Sequence, residues 1–191
     1  MEKVPEVSVV MAVYNGRPYL KTSVRSILNQ TFEDFEFIII NDGSDDGSKE
    51  ILVQFAGKDQ RVRLVHQENR GHVASLNRGL KLAQGRFVAR MDADDVSHPD
   101  RLERQVHFLN ANPDVGVAGT HVEVIDEEGT EIGHSASPTE SALIAWRLLF
   151  NACFTHPSIM ARRSLLKELG GYALWAESAG DHELWTRAVQ V

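Results

Sequence analysis

Cysteine is nearly absent: Cys153 stands alone among 191 residues, so no intrachain disulfide can form and nothing demands an oxidising compartment. Long apolar runs are also missing. None approaches the roughly 18 residues a membrane-crossing helix needs, and residues 1–6 lack the basic-then-apolar order of a secretory leader. Positive charge is in deficit, with 20 Lys and Arg against 27 Asp and Glu and a net charge of −7. Such a surplus of acid repels polyphosphate backbones unless charge is segregated or a metal intervenes. Neither Gly-rich phosphate cradle is present: no GxGxxG follows the first apolar run, and no GxxxxGK[ST] occurs. A dinucleotide-binding dehydrogenase and a P-loop ATPase are therefore disfavoured. There is no repeat at solenoid spacing and no low-complexity tract. The expectation is one domain over residues 1–191, cytoplasmic or at the inner face of a membrane, with no transmembrane segment and no nucleic-acid partner.

What is present is a globular composition, 42% hydrophobic, with a repeating grammar. Residues 7–14 form an apolar run that ends at Asn15-Gly16, which suits a strand covered on both faces. Pro18 then sits where a helix begins, and Leu20, Val24, Ile27 and Leu28 recur at helical spacing. The cycle repeats with a strand at 35–40, a loop at 41–47 and a helix using Ile51, Leu52 and Phe55. It repeats again with 62–66 and the stripe Val73, Leu76, Leu80 and Ala83, then with 87–91 and a Pro99-led helix striped by Leu102, Val106 and Leu109. Four strand–helix units in succession predict an α/β fold: a mainly parallel open sheet with helices on both faces.

After residue 112 the pattern changes to a small antiparallel hairpin portion built from 115–118, 122–125 and a return near Ile132. Ser137-Pro138-Thr139-Glu140 has the spacing of a capping box and should start a helix using Leu143, Ile144, Leu148 and Leu149. Further elements follow at 158–161, before Gly170-Gly171, and from about Asp181. The helical pattern is still running at Val191 with no cap, which reads as a fragment or a trimmed chain.

In an open parallel sheet, loops and helix N-termini converge beyond the carboxyl ends of the strands, so polar residues there are informative. Asn15 follows the first strand; Asp42, Asp45 and Asp46 follow the second; Asp92, Asp94 and Asp95 follow the fourth. Clustered like charges cost energy unless a cation neutralises them, and neither loop carries its own Lys or Arg. Oxygen-only donors favour Mg²⁺ or Mn²⁺ over Zn²⁺, completed by water and substrate phosphates. The first loop has a plainer reading as a solvated turn that caps a helix. The second, with three acids in four residues, is harder to justify structurally.

These segments, with Gln30-Thr31-Phe32, Asn69-Arg70-Gly71, Asn77-Arg78-Gly79, Pro99-Asp100-Arg101-Leu102, His156-Pro157-Ser158 and Gly170-Gly171-Tyr172, come in an order that resembles family 2 glycosyltransferases with the GT-A fold. The resemblance implies an inverting, metal-dependent transferase that moves a sugar from a UDP- or dTDP-linked donor to a sugar, lipid-linked or other hydroxyl acceptor. It divides the domain into a nucleotide-binding half, 1–112, and an acceptor and catalytic-base half, 113–191. Asp42 is then expected to accept from the N3–H of uracil or thymine. Val13, Tyr14, Asn15, Asp45, Gly71, Asn77, Met91, Asp92 and Ala93 are expected at the nucleotide, and Asp94 of the Asp-x-Asp motif is expected to ligate Mn²⁺ or Mg²⁺. Arg70 and Arg78 suit phosphate by charge but equally suit a solvated helix surface.

The family's base lies in a pattern like Glu-Asp-x-x-Leu-Trp-x-Arg, matched by Gly180-Asp181-His182-Glu183-Leu184-Trp185-Thr186-Arg187 with Gly180 in place of the acid. Asp181 is thus the expected base, its plainer role being an N-cap for a helix burying Leu184, Trp185, Ala188 and Val189. His156 suits a metal, a phosphate or a structural role. Cys153 reads as a small buried hydrophobe, and the tryptophans as core, although Trp175 could stack on an acceptor sugar. Peripheral membrane association and a homodimer stay open. Two rivals remain: a non-catalytic nucleotide-sugar binding module, and a nucleotidyltransferase, which needs a basic Gly-rich loop where this chain has Asn15-Gly16-Arg17-Pro18.

Overall fold

Strand β1 (Val7–Val13) is buried along its whole length because its residues are apolar on both faces, and this places it at the centre of the molecule. A computed structural model describes residues 3–176 and 179–190. β1 pairs in parallel with β2 (Phe35–Asp42) on one side and β4 (Phe87–Met91) on the other, and β2 pairs in parallel with β3 (Val62–Gln67). The six-stranded sheet has the order β3-β2-β1-β4-β8-β5, in which β8 (Met160–Arg162) and β5 (Val117–Ala118) add the antiparallel edge. Helices α1 (Arg17–Leu28), α2 (Ser48–Ala56), α3 (His72–Leu82) and α4 (Arg101–Ala111) follow the first four strands.

Alternate residues of the strands feed two cores. Val9, Met11, Phe37, Ile39 and Phe87 pack with Leu20, Leu52 and Leu102 on one face. Val10, Ile38, Ile40 and Val88 pack with Val73, Leu76, Leu184 and Trp185 of α3 and α7 (Gly180–Ala188) on the other. The α/β reading holds, and because β1, β2 and β4 are parallel and adjacent, the loops carrying Asn15, Asp42 and Asp92 rise from the same edge of the sheet.

The second half departs from expectation in detail. β5 joins the main sheet against β8, while β6 (Val122–Ile125) and β7 (Glu131–Ser135) make a separate two-stranded hairpin. The capping box does not form: α5 (Ser141–Leu148) starts after Glu140, and the Ser137 hydroxyl instead donates to the Cys153 carbonyl at 2.5 Å. Of the side chains expected on its buried face only Leu148 is buried; Leu143, Leu149 and also Trp146 are exposed. α6 (Arg163–Glu168) follows β8 and ends at Gly170-Gly171.

Candidate active site

The loops after β1 and β2 lock together through side chains that accept from backbone N–H groups. Asn15 takes φ 52°, a left-handed conformation that Asn tolerates better than most residues. From there its Oδ1 accepts from Asp45 N at 3.0 Å, and its own N–H donates to Ser44 Oγ at 3.1 Å. Asp46 accepts from Arg17 N and Ser48 N, each at 2.9 Å. Burial opposes ionisation of Asp46, but the hydrogen bonds from Ser48 and the Arg17 N–H outweigh it and hold its carboxyl below the usual range. Gly43 lies so close to the next loop that a Cβ there would sit 2.8 Å from Asn69 N, at φ 78°, and a side chain is excluded on both counts.

Asp42, at 3% exposure, binds the loop after β3. Its Oδ1 accepts from Gln67 Nε2 at 2.6 Å and from Arg70 N at 2.9 Å, and its Oδ2 accepts from Gly71 N at 3.0 Å. A carboxylate offers about four acceptor positions, so roughly one remains for a ligand.

The loop after β4 balances its charge differently. Sequence reasoning finds no cation in either acidic loop, yet the fold supplies two from outside them. Arg90, buried in β4, donates to the Asp92 carboxylate and the Met91 carbonyl, and its Nη2 lies 3.0 Å from His72 Nε2. Because a guanidinium only donates, that His72 nitrogen accepts. Arg101, also buried, donates to the carbonyls of Arg90 and Pro157. Asp92 is opposed by burial but held below the usual carboxylate range by Arg90 and by the nearby histidines. Asp95 lacks such a partner: burial, with Asp92 and Asp94 alongside, pushes it up to about 6. Asp94 is exposed. Among the described residues no three His, Cys, Asp or Glu form a ready metal cage.

Asp181 enters from the other core. It is not the helix cap: Ala179 caps α7, Gly180 is its first residue, and Asp181 lies in the first turn. Gly180 lies close against α3, where a Cβ would meet Val73 Cγ2 at 3.2 Å, a tight contact that the valine must yield to by a few tenths of an ångström. Beneath Asp181, Tyr172 is buried with its hydroxyl 2.7 Å from His156 Nε2. Desolvation drives His156 down to about 3, so it is neutral at ordinary pH, and drives the Tyr172 phenol up.

His72 is where these parts meet. Desolvation on its inner side and Arg90 lower its pKa, while Asp92, Asp42 and Asp181 are all near enough to act on it in the opposite sense. The three acids therefore lie around one histidine. Tyr14, Asn15 and Asp45 are exposed, and the Gly71 N–H donates to Asp42. Val13 and Met91 are buried in the core and Ala93 packs against it, so the first two offer only backbone. Asn77 is turned away: its amide accepts from Tyr172 N at 2.9 Å and donates to Tyr172 O at 2.8 Å, bracing the tyrosine. Of the tryptophans only Trp185 is core; Trp175 is 81% exposed. Arg17 points onto the Asp46 carbonyl, which removes it as the basic loop of a nucleotidyltransferase. Sequence reasoning missed Arg90, His72 and Gln67; for Arg90 the signal was a charge inside an otherwise apolar strand, which a covered sheet tolerates only when paired.

Comparison with known proteins bears on the family and the fold. The profile described as glycosyl transferase family 2 matches residues 8–170. The uncharacterized glycosyltransferase MJ1057 of Methanocaldococcus jannaschii is 35% identical over 189 residues, covering 97% of this chain and 65% of that protein. The O-antigen biosynthesis glycosyltransferase WbnJ of Escherichia coli is 36% identical over 183 residues, covering 95% and 70%. Among solved structures, the mannosyltransferase PcManGT from Pyrobaculum calidifontis, in complex with GDP-Man and Mn²⁺, superposes with a TM-score of 0.72 at 22% identity, covering 98% of this chain and 52% of that one. TarS 1-349 of S. aureus, in complex with UDP-GlcNAc, gives 0.72 at 21%, covering 96% and 53%. Both share the GT-A fold. The chain thus spans about two thirds of these sequence relatives and about half of the solved chains.

Proposed function

This chain belongs to glycosyl transferase family 2, and we propose that it transfers a sugar from a nucleoside-diphosphate donor to an acceptor hydroxyl with inversion at the anomeric carbon. The observation that carries this is that acids from both halves of the chain, Asp42, Asp92 and Asp181, are gathered around His72. Asp42 accepts the imide N–H of the base with its remaining lone pair, which favours a UDP- or dTDP-sugar. Guanine N1–H would meet the same acceptor, so a GDP-sugar is the control. Tyr14 covers the base, and Asp92 lies toward the ribose or sugar.

Asp181 takes the proton of the acceptor hydroxyl as its oxygen attacks the anomeric carbon. The bond from that carbon to the diphosphate oxygen breaks on the opposite face, and the nucleoside diphosphate leaves with the electron pair. The residues present fit a divalent cation: Asp94 is exposed, the donors are oxygens, and Asp95, pushed up to about 6 by burial and by Asp92 and Asp94 alongside, carries a like-charge repulsion that a dication would relieve. Asp94, with Asp92 beside it, would hold Mn²⁺ or Mg²⁺, which when bound neutralises charge on the departing diphosphate. Arg90 orients Asp92, and neutral His156 with Tyr172 forms the floor without moving a proton. No helix among the described residues is long and apolar enough to cross a membrane, so a lipid-linked acceptor would reach Asp181 from outside the fold.

The test is release of nucleoside diphosphate from UDP-, dTDP- and GDP-sugars with Mn²⁺. Asp181→Asn is expected to lower turnover at least a hundredfold while nucleotide affinity stays within twofold. Equal turnover in the variant would remove Asp181 as the base, and binding without any turnover in the parent chain would favour the non-catalytic module.

A further inference from the structure

Five cations line one groove of this acidic protein. The groove, about 770 Å³, runs between α3 and α6, and Arg70, Arg78, Lys81, Arg163 and Lys167 line it without any Asp or Glu. Its floor is apolar, with Leu80, Val88 and Leu166. Among the described residues none of the five has a carboxylate oxygen within 4.0 Å, although the chain holds 27 acids to 20 cations. These five cations are not balanced by any acid of the groove itself. The surface segregates positive charge, the condition under which an acidic protein can still hold a polyanion.

The spacing narrows the ligand. Arg78 and Lys81 lie on α3 and Arg70 just before it, while Arg163 and Lys167 lie on α6, so the positive charge is spread over both walls of the groove rather than gathered at one point. Guanidinium forks match phosphate oxygens in pairs, and the lysines add point charge. The volume is that of a small-molecule site rather than of an extended surface. At its upper end Arg78 donates to Gln67 Oε1 at 2.7 Å, and Gln67 in turn donates to Asp42, so the groove adjoins the acids around His72 without sharing their carboxylates.

We propose that this groove is a second, metal-independent site for a soluble ligand carrying two or more phosphate groups. It stands apart from the donor diphosphate, which on the reading above needs Asp94 and a cation, and the inference survives if that reading fails.

The experiment is calorimetric titration of the whole chain with inorganic tripolyphosphate in EDTA, at low and moderate salt. Binding is expected without metal, weakening as salt rises, and Lys81→Glu/Lys167→Glu should weaken it at least tenfold. Both lysines are exposed, and Lys81→Gln/Lys167→Gln, expected to weaken binding about threefold, checks the result if charge reversal harms folding. UDP affinity with Mn²⁺ should stay within twofold in both variants, which separates this groove from the donor site. Absence of tripolyphosphate binding, or binding unchanged in both variants, overturns the proposal. So does retention on phosphatidylglycerol vesicles or on single-stranded RNA that depends on the lysines while tripolyphosphate fails to bind, since the surface would then serve a membrane or a nucleic acid.

Discussion

The loops after β2 and β4, the strands that flank β1, each carry three aspartates, yet the fold settles their repulsion in opposite ways. In the first, Asp42 and Asp46 accept from the backbone N–H groups of Arg70, Gly71, Arg17 and Ser48, so charge is spread into the polypeptide and three loops become one rigid piece. In the second, Asp92 is held by the side chain of Arg90, Asp95 is left crowded and Asp94 is left open. Similar composition therefore yields a lock in one place and a receptive anionic edge in the other. A backbone donor cannot be exchanged for a ligand without unfolding the loop, whereas an exposed carboxylate can.

The sharpest break of this comparison is at Arg90. Replacing it with Met leaves Asp92 partly buried without its cation, and removal of one partner of such a pair should cost about 3 kcal/mol. Chemical denaturation measures this, and adding Asp92→Asn should restore part of the loss because the orphaned charge is then gone. Next in size is Asp42→Ala. It strips the acceptor from Gln67 Nε2, Arg70 N and Gly71 N and should destabilise by about 2 kcal/mol, in addition to weakening uridine nucleotide binding. A fold that tolerates Asp42→Ala without loss would show that the lock is not made by this carboxylate.

This asymmetry also marks where the sequence could be read. Val7 to Val13, Ile38 to Ile40 and the stripe Val73, Leu76 and Ala83 are local patterns whose period fixes element and face, and they are buried as expected. Acids at strand ends are equally local, because topology alone brings them to one edge. What escaped was set by distant partners. Arg90 finds His72 on α3, Asn77 finds Tyr172, and Ser137 leaves its helix for the Cys153 carbonyl. β5, two residues long, has no period at all, and only its pairing with β8 assigns it to the main sheet. Gly180 reads in the sequence as a departure from a catalytic pattern, and only the fold shows how closely it packs against Val73.

A smaller effect tests the floor under the second loop. His156, which faces Arg90, Asp92, His72 and Tyr172, has its pKa depressed from 6.5 to about 3. In this case the unfolded chain takes up a proton near pH 6.5 and the folded one does not until far lower pH, so the residue favours unfolding increasingly as pH falls from 6.5 toward 3. The contribution is at most about 1.4 kcal/mol per pH unit. His156→Gln should remove that part, so the stability difference between parent and variant shrinks as pH drops. A difference constant from pH 7 to pH 4 would mean that the ring is not held neutral.

The smallest expected change in stability is at Asp94, and it is the one that would confirm the contrast. Asp94 is exposed and no protein hydrogen bond holds its carboxylate among the described residues, so Asp94→Asn should alter folding by no more than about 0.5 kcal/mol. Its effect belongs to the ligand: in the parent chain Mn²⁺ should tighten UDP binding, and in Asp94→Asn that gain should vanish while metal-free affinity stays the same. If the metal-dependent gain persisted, Asp94 would not be a ligand. If instead folding suffered as much as in Asp42→Ala, the receptive edge would itself be a lock, and the two loops would differ in sequence position alone.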